Sequence, residues 1–296
     1  MSVIEGILLG LLQGVAEFLP VSSSGHLVIA QELFDLGDVP LLFDVFLHLA
    51  TLGAVLLFFR RRIVRLVQVA MRWICRRSLP EDSADLQTIL ALLLGTAVTA
   101  VFGLFLSDVI ADFDDEAVCI GFFITSGLLI FSAWLERRRQ KKCAGMAATA
   151  SNAGSGETGA GGTSGSSSDG AMATGVKPLQ GLGIGLAQGF GVMPGISRSG
   201  STIAGALLCG VGREQAGEFS FLLSIPAILG AFILELDDLG EMGDAVGVAP
   251  VLAGCLAAFV AGIFALSLLM KIVRRGKLEW FAAYLIPAGI LGLIFL

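Results

Sequence analysis

The stretch "LLQGVAEFLPVSSSGHL", residues 11–27, sets a polar cluster inside an apolar run. Its first half carries Gln13 and Glu17 four residues apart, and a Phe-Leu-Pro break then leads into three serines, Gly25 and His26. The break divides the apolar segment 3–34 into halves of about 14 residues, too short for a bilayer core that takes about 20 helical residues. Such a segment reads as a re-entrant helical hairpin. Non-helical backbone at membrane depth is tolerated only where protein or water lines it, so the interruption is expected to face an internal cavity.

The surrounding composition agrees. Hydrophobic residues make up 55% of the 296 and charged residues 15%, with a mean hydropathy of +0.85, which points to an integral membrane protein. A net charge of −6 offers no nucleic-acid surface. Glu5 sits where a signal peptide would carry positive charge, so the first segment is expected to be retained. The five cysteines are widely spaced and without CxxC or His-rich surroundings, which indicates neither a zinc site nor a disulfide framework.

Six apolar runs are long enough to span: 41–59, 86–106, 117–135, 216–236, 246–270 and 278–296. A second broken stretch, 178–210, reads as another re-entrant hairpin. Arg60, Arg61, Arg62, Arg65, Arg72, Arg76 and Arg77 follow the first span, and Arg137, Arg138, Arg139, Lys141 and Lys142 follow the third. Both loops are expected to be cytoplasmic. The loops 107–116 and 235–245, acidic and free of Lys and Arg, then fall outside, as do both termini. Of the 19 basic residues only Arg198 escapes this pattern; it lies in the broken middle of the second hairpin.

The two hairpins align at a constant offset of 175, matching Gln13 to Gln188, Gly14 to Gly189, Ser22 to Ser197, Ser24 to Ser199 and Gly25 to Gly200. Each precedes three spans, an odd number, so the second copy is upside down relative to the first. The expected fold is an all-α integral membrane protein, six transmembrane helices plus two re-entrant hairpins in an inverted-topology repeat. Its first repeat covers 1–142 and its second 178–296, with a flexible Gly/Ser-rich cytoplasmic linker at 143–177. Repeats of this kind commonly hold a polar ligand near the midplane, where the broken helices meet.

The copies diverge in a complementary way: Glu17 faces Val192, Ser23 faces Arg198, and His26 faces Ser201. Ionisable groups inside a membrane are costly and mark functional sites. Glu17 and Gln13 share a helix face and could coordinate a hard divalent cation, Mg²⁺ or Ca²⁺, with substrate phosphates completing its shell. Ser22, Ser24, Gly25, Gly195, Ser197, Ser199, Gly200 and Thr202 line the entries to the second half-helices, where backbone N–H groups and hydroxyls suit a phosphate. Arg198 adds a phosphate fork. His26 is read as a nucleophile, general base or general acid, with Ser23 the competing nucleophile. His48, four residues after Asp44, reads as a helix-face hydrogen bond or a supporting group.

At these residues the chain resembles a known family. "LLQGVAEFLPVSSSGHL", "PGISRSGST" and "EFSFLLSIPAILGA" are similar to the bacitracin-resistance-type undecaprenyl-diphosphate phosphatases of bacteria, and the likeness runs through both repeats and most spans. The resemblance implies hydrolysis of undecaprenyl diphosphate to undecaprenyl phosphate at the bacterial plasma membrane, with bacitracin competing for the same lipid. It carries the family's acidic motif onto Gln13 and Glu17, its Ser/His segment onto Ser22, Ser23, Ser24, Gly25 and His26, and its Ser-Arg segment onto Pro194, Gly195, Ser197, Arg198 and Ser199. Position 13 is Gln where many relatives have Glu. Association as a homodimer is left open.

Two rival readings compete with this one. An acid-phosphatase-like lipid phosphatase also uses "SGH" and "SR" segments, but it needs a further histidine after its Ser-Arg, and none follows Arg198. A transporter or flippase of an anionic prenyl phosphate would share the architecture, yet it needs no acid/base partner beside the cation.

Overall fold

The computed structural model describes residues 1–36, 39, 41–111, 115–153, 175–234 and 246–295. Among these it is all helical: α1 (Val3–Ala16), α2 (Ser23–Leu33), α3 (Leu41–Phe58), α4 (Arg60–Ile74), α5 (Ser83–Ala111), α6 (Asp115–Ala153), α7 (Pro178–Phe190), α8 (Arg198–Leu208), α9 (Arg213–Leu234), α10 (Val248–Arg275) and α11 (Glu279–Phe295), with one 3₁₀ turn at Pro80–Asp82.

The helix boundaries follow local chemistry. At α1, Ser2 Oγ accepts from the Glu5 amide at 3.3 Å while Glu5 Oε2 accepts from the Ser2 amide at 2.7 Å, a reciprocal capping box. Helix α7 opens on Pro178, and α10 stops at Gly276, whose φ of 66° is left-handed.

Helices α5, α6, α9 and α10 are long and apolar enough to cross a membrane. Helices α3 and α4, bent by 78° at their junction, make a fifth if the pair is one span. Leu93, Phe105, Leu252 and Phe264 on α5 and α10 point outward and are well exposed, which suits contact with lipid and makes this a multi-pass membrane protein. Helix α11 has 17 residues, about 26 Å at 1.5 Å per residue, and is shorter than the other four. The structure therefore supports four to five spans by length and composition where the sequence suggested six.

Two further differences concern expected loops. The basic segment after the first span is not a loop but the helix α4, because its apolar residues recur at helical spacing between the arginines. Helix α6 runs on to Ala153, eleven residues into the expected linker, where alanines favour helix. The rest of that linker, 154–174, and the acidic loop 235–245 lie outside the described residues. Among the described residues Cys75, Cys209 and Cys255 are free thiols.

What positions the site is a pair of glycine-lined helix contacts. Gly6, Gly10 and Gly14 of α1 lie on α10, so close that a Cβ on Gly10 would stand 2.1 Å from the Gly254 carbonyl oxygen. On the other side Gly181 and Gly185 of α7 lie on α5, where a Cβ on Gly185 would stand 2.5 Å from the Gly95 oxygen. Small residues every fourth position let two backbones approach and gain dispersion contacts that lipid cannot match. Each half-helix is thus seated on a long helix from the other half of the chain, and α3 meets α9 between them.

Candidate active site

Helix α1 ends at Ala16 and α7 at Phe190, and after each the chain turns through a proline-containing segment into a second short helix. The two tips touch. A Cβ on Gly200 would stand 3.2 Å from Pro20 and Ser199 Oγ lies 3.4 Å from the Leu19 carbonyl oxygen, while Phe18 beside them meets Phe221 of α9 edge to face at 5.6 Å. This contact closes a cavity of about 250 Å³ whose lining includes Glu17, Ser23, Ser24, Ser197, Arg198 and Ser199.

Glu17 is the hub of that cavity. Its Oε1 pairs with the Arg198 guanidinium, Ser23 donates to Oε2 at 2.7 Å and the Gln13 amide at 3.1 Å, and His48 Nε2 stands 3.4 Å from Oε2. A carboxylate only 6% exposed needs this many partners, because an unpaired buried charge is very costly. Two polar atoms beside it are buried with no hydrogen-bond partner: Arg198 Nη1, a donor, and Gln13 Oε1, an acceptor. Turning the Gln13 amide around would set its oxygen against the Glu17 carboxylate, so the orientation is fixed. The donor suits an anion and the acceptor a cation.

The two second half-helices differ at their starts. Ser197 caps α8, accepting from the Gly200 amide at 3.1 Å. Ser22 gives α2 no such cap; it sits at φ 67° and ψ 93°, a strained backbone for a non-glycine residue. The first turn of α2 therefore keeps its amide donors for another acceptor. Ser22 Oγ lies 3.5 Å from Ser24 Oγ.

Several residues singled out in the sequence are elsewhere. His26 does not share the cavity with Glu17 and Arg198. Its ring lies between Phe122 and Tyr284, with Nδ1 2.8 Å from the Ser22 carbonyl and Nε2 2.8 Å from the Tyr284 hydroxyl, and it lines a second cavity of about 370 Å³. Thr202 is turned away as well: it bonds Ser220 on α9 and the Arg198 carbonyl, tying α8 to its neighbour. Gly25 abuts the Phe122 ring and Gly195, at φ 78°, abuts the Val118 backbone, so both are required by packing on α6. Gly200 gives its amide to Ser197. Gln13 is fully buried behind Glu17 rather than in the cavity wall.

Two residues carry more than the sequence suggested. His48 keeps the expected helix hydrogen bond, Nδ1 to the Asp44 carbonyl at 2.7 Å, and also turns Nε2 toward Glu17. Tyr284 gave no signal at all, since nothing local to it is polar. The aligned Gln188 has also diverged from Gln13, bonding Thr99 Oγ1 on α5 at 3.1 Å.

A family model, that of the bacitracin resistance protein BacA, matches residues 6–291. The chain belongs to the BacA family. Among BacA-type relatives, an undecaprenyl-diphosphatase of Treponema denticola is 44% identical over 290 residues, which cover 98% of this chain and 96% of that protein. Namesakes from Desulfosudis oleivorans and Carboxydothermus hydrogenoformans are 39% and 35% identical over 296 and 294 residues, covering 98% of this chain and 97% and 96% of theirs. The BacA match takes in both hairpin tips and hence every residue of the Glu17 cavity.

Proposed function

We propose that this protein hydrolyses undecaprenyl diphosphate to undecaprenyl phosphate and inorganic phosphate, the lipid carrier step of cell-wall synthesis. The observation that carries the reading is the Ser23 hydroxyl aimed at Glu17, 2.7 Å away, beside Arg198 in a cavity shared by both hairpins. Relatives named undecaprenyl-diphosphatase over nearly the whole length favour hydrolysis over carriage of the same lipid.

In this reading the terminal phosphate of the substrate lies against the uncapped start of α2 and the unpaired Nη1 of Arg198, which stabilise charge on its oxygens. Glu17 Oε2 takes the Ser23 proton as Oγ attacks the terminal phosphorus. The Oγ–P bond forms, the bridging P–O bond breaks, and undecaprenyl phosphate leaves. Water then attacks the phosphoserine, the proton on Glu17 returns to Oγ, and inorganic phosphate departs. His26 is a positioning residue here: it grips the Ser22 carbonyl and so holds the strained turn that presents Ser23.

A divalent cation, Mg²⁺ or Ca²⁺, fits beside Glu17, because Gln13 Oε1 is a buried oxygen without a partner. Among the described residues no three His, Cys, Asp or Glu side chains gather as a complete metal shell, so Glu17 and substrate oxygens would hold the ion on the cavity side, with Gln13 Oε1 a further oxygen from behind Glu17. When bound, the ion would neutralise diphosphate charge.

The reading extends to the membrane. The exchange of seats between α1 on α10 and α7 on α5 supports an inverted-topology repeat with two re-entrant hairpins. The arginine-rich ends then face the cytoplasm and both termini the outside of a bacterial plasma membrane. Bacitracin competes for the substrate lipid.

The test is phosphate release from a short-chain prenyl diphosphate by detergent-purified protein, with and without EDTA. Release that EDTA and Arg198→Ala both abolish is expected. No release from well-folded protein overturns the reading and favours carriage.

A further inference from the structure

Helix α4 carries five arginines in fifteen residues, which excludes it from the hydrocarbon core. Yet Val64, Val67, Met71 and Ile74 are each at least half exposed. At about 100° per residue these four fall within roughly 80° of one another. An uncovered apolar stripe of this kind is unsuited to water.

The helix thus has three faces. Leu66 and Val69 are buried against the protein. The apolar stripe faces away from it. Between the two runs a basic face with Arg61, Arg65, Gln68 and Arg72. Ion pairs fix this rotation: Arg62 and Arg65 hold Asp85, in the first turn of α5, at 2.5 and 2.7 Å, and Arg72 holds Asp82, the last residue of the 3₁₀ turn before it, at 2.5 Å. Arg61, Arg76 and Arg77 are exposed and make no side-chain hydrogen bond or ion pair among the described residues. The 78° bend from α3 lays α4 across the axis of a helix whose last seven residues, Leu52–Phe58, are free of polar side chains.

We propose that α4 is a docking surface for anionic lipid. It lies along the membrane face with Val64, Val67, Met71 and Ile74 in the acyl boundary, and Arg61, Arg76 and Arg77 draw acidic phosphate headgroups to that spot. Charge complementarity names the occupant: a zwitterionic surface would satisfy the stripe but leave the three unpaired arginines without counter-charge, and an apolar protein partner would leave them buried. The inference rests on the fold alone and is independent of the hydrolytic reading.

The test uses the full-length protein with Trp73, Trp134 and Trp280 replaced by Phe and Met71→Trp as the sole tryptophan, with Val67→Trp as a second reporter should the first fail to fold. It is reconstituted in phosphatidylcholine vesicles containing an equal mole fraction of brominated phosphatidylglycerol or brominated phosphatidylcholine. Bromines near the carbonyl end should quench more than bromines near the methyl end. Enrichment of the phosphatidylglycerol over phosphatidylcholine around the reporter should be on the order of fivefold or more, the scale of one arginine's attraction to an anionic leaflet. Adding Arg61→Gln, Arg76→Gln and Arg77→Gln should bring that ratio to about one without moving the thermal transition in detergent. Equal quenching by the two lipids in the parent overturns the proposal. So does stronger quenching by methyl-end bromines, which would make α3 and α4 a broken span, and so does no quenching at all, which would put α4 in water.

Discussion

The hydroxyl of Tyr284 lies 2.8 Å from Nε2 of His26, while Nδ1 of the same ring lies 2.8 Å from the Ser22 carbonyl oxygen. A carbonyl oxygen only accepts, so Nδ1 carries the ring proton and Nε2 takes the Tyr284 hydrogen. The relay runs from Tyr284 through His26 to the strained turn at Ser22, one residue before the proposed nucleophile. Tyr284→Phe should therefore lower kcat by about fivefold, the worth of one lost hydrogen bond, with KM unchanged. The ¹⁵N spectrum of His26, one of only two histidines, should show a mixture of tautomers in the variant. An unaltered spectrum and kcat would remove Tyr284 from the relay.

Ser23→Ala and Glu17→Gln should each cut phosphate release by roughly a thousandfold or more, and the double variant should be no worse than either alone, because the two act as one unit. His26→Ala should fall well short of that loss. Mass spectrometry of acid-quenched protein should find phosphate on Ser23. His26→Ala being as severe as Ser23→Ala would return the histidine to the chemistry.

Arg198→Lys should rescue little of the loss in Arg198→Ala, which we expect to be about a hundredfold or more. A lysine can replace the charge toward Glu17 but not the second nitrogen that stands unpaired in the cavity. Equal activity of the Arg198→Lys variant and the parent, measured across substrate concentrations, would count against a two-nitrogen grip.

Thr202→Val should leave KM within about twofold and lower stability by about 1 kcal/mol, since Thr202 bonds Ser220 rather than the cavity. Thermal melts and substrate titration of the same preparation separate the two effects.

Gly10→Ala should cost about 1–3 kcal/mol by overpacking, because its Cβ meets the Gly254 backbone. Gly127→Ala, also helical but with open space around it, should be neutral or slightly stabilising. Melting both in one detergent checks the contrast.

The breaks between α1 and α2 and between α7 and α8 were legible because Pro20 and the pair Pro194 and Gly195 interrupt otherwise apolar runs. Glu17, Ser23 and Arg198 were legible because charge and hydroxyls inside apolar runs need each other. The direction of the His26 side chain was not, since it is decided by Phe122 and Tyr284, neither of which is near it in sequence. Thr202 was not legible either, because a hydroxyl next to a phosphate-like loop looks the same whether it turns to the ligand or to Ser220. Helix α4 was hidden by its arginines, which read as a loop when counted and as a helix only when their spacing is followed. The glycines at 6, 10 and 14 and again at 181, 185 and 189 were a plain signal for close packing that the alignment at offset 175 already contained.

That crossed seating bears on how the protein is made. Gly10 leaves the ribosome more than two hundred residues before Gly254, the backbone it must rest on. Until α10 is inserted, α1 has a bare glycine groove, and Glu17 waits for Arg198, its counter-charge. The second hairpin has no such delay, because α5 precedes α7. Assembly is therefore asymmetric in time although the packing is nearly symmetric in space, and a chain that stops before α10 leaves its first hairpin unseated.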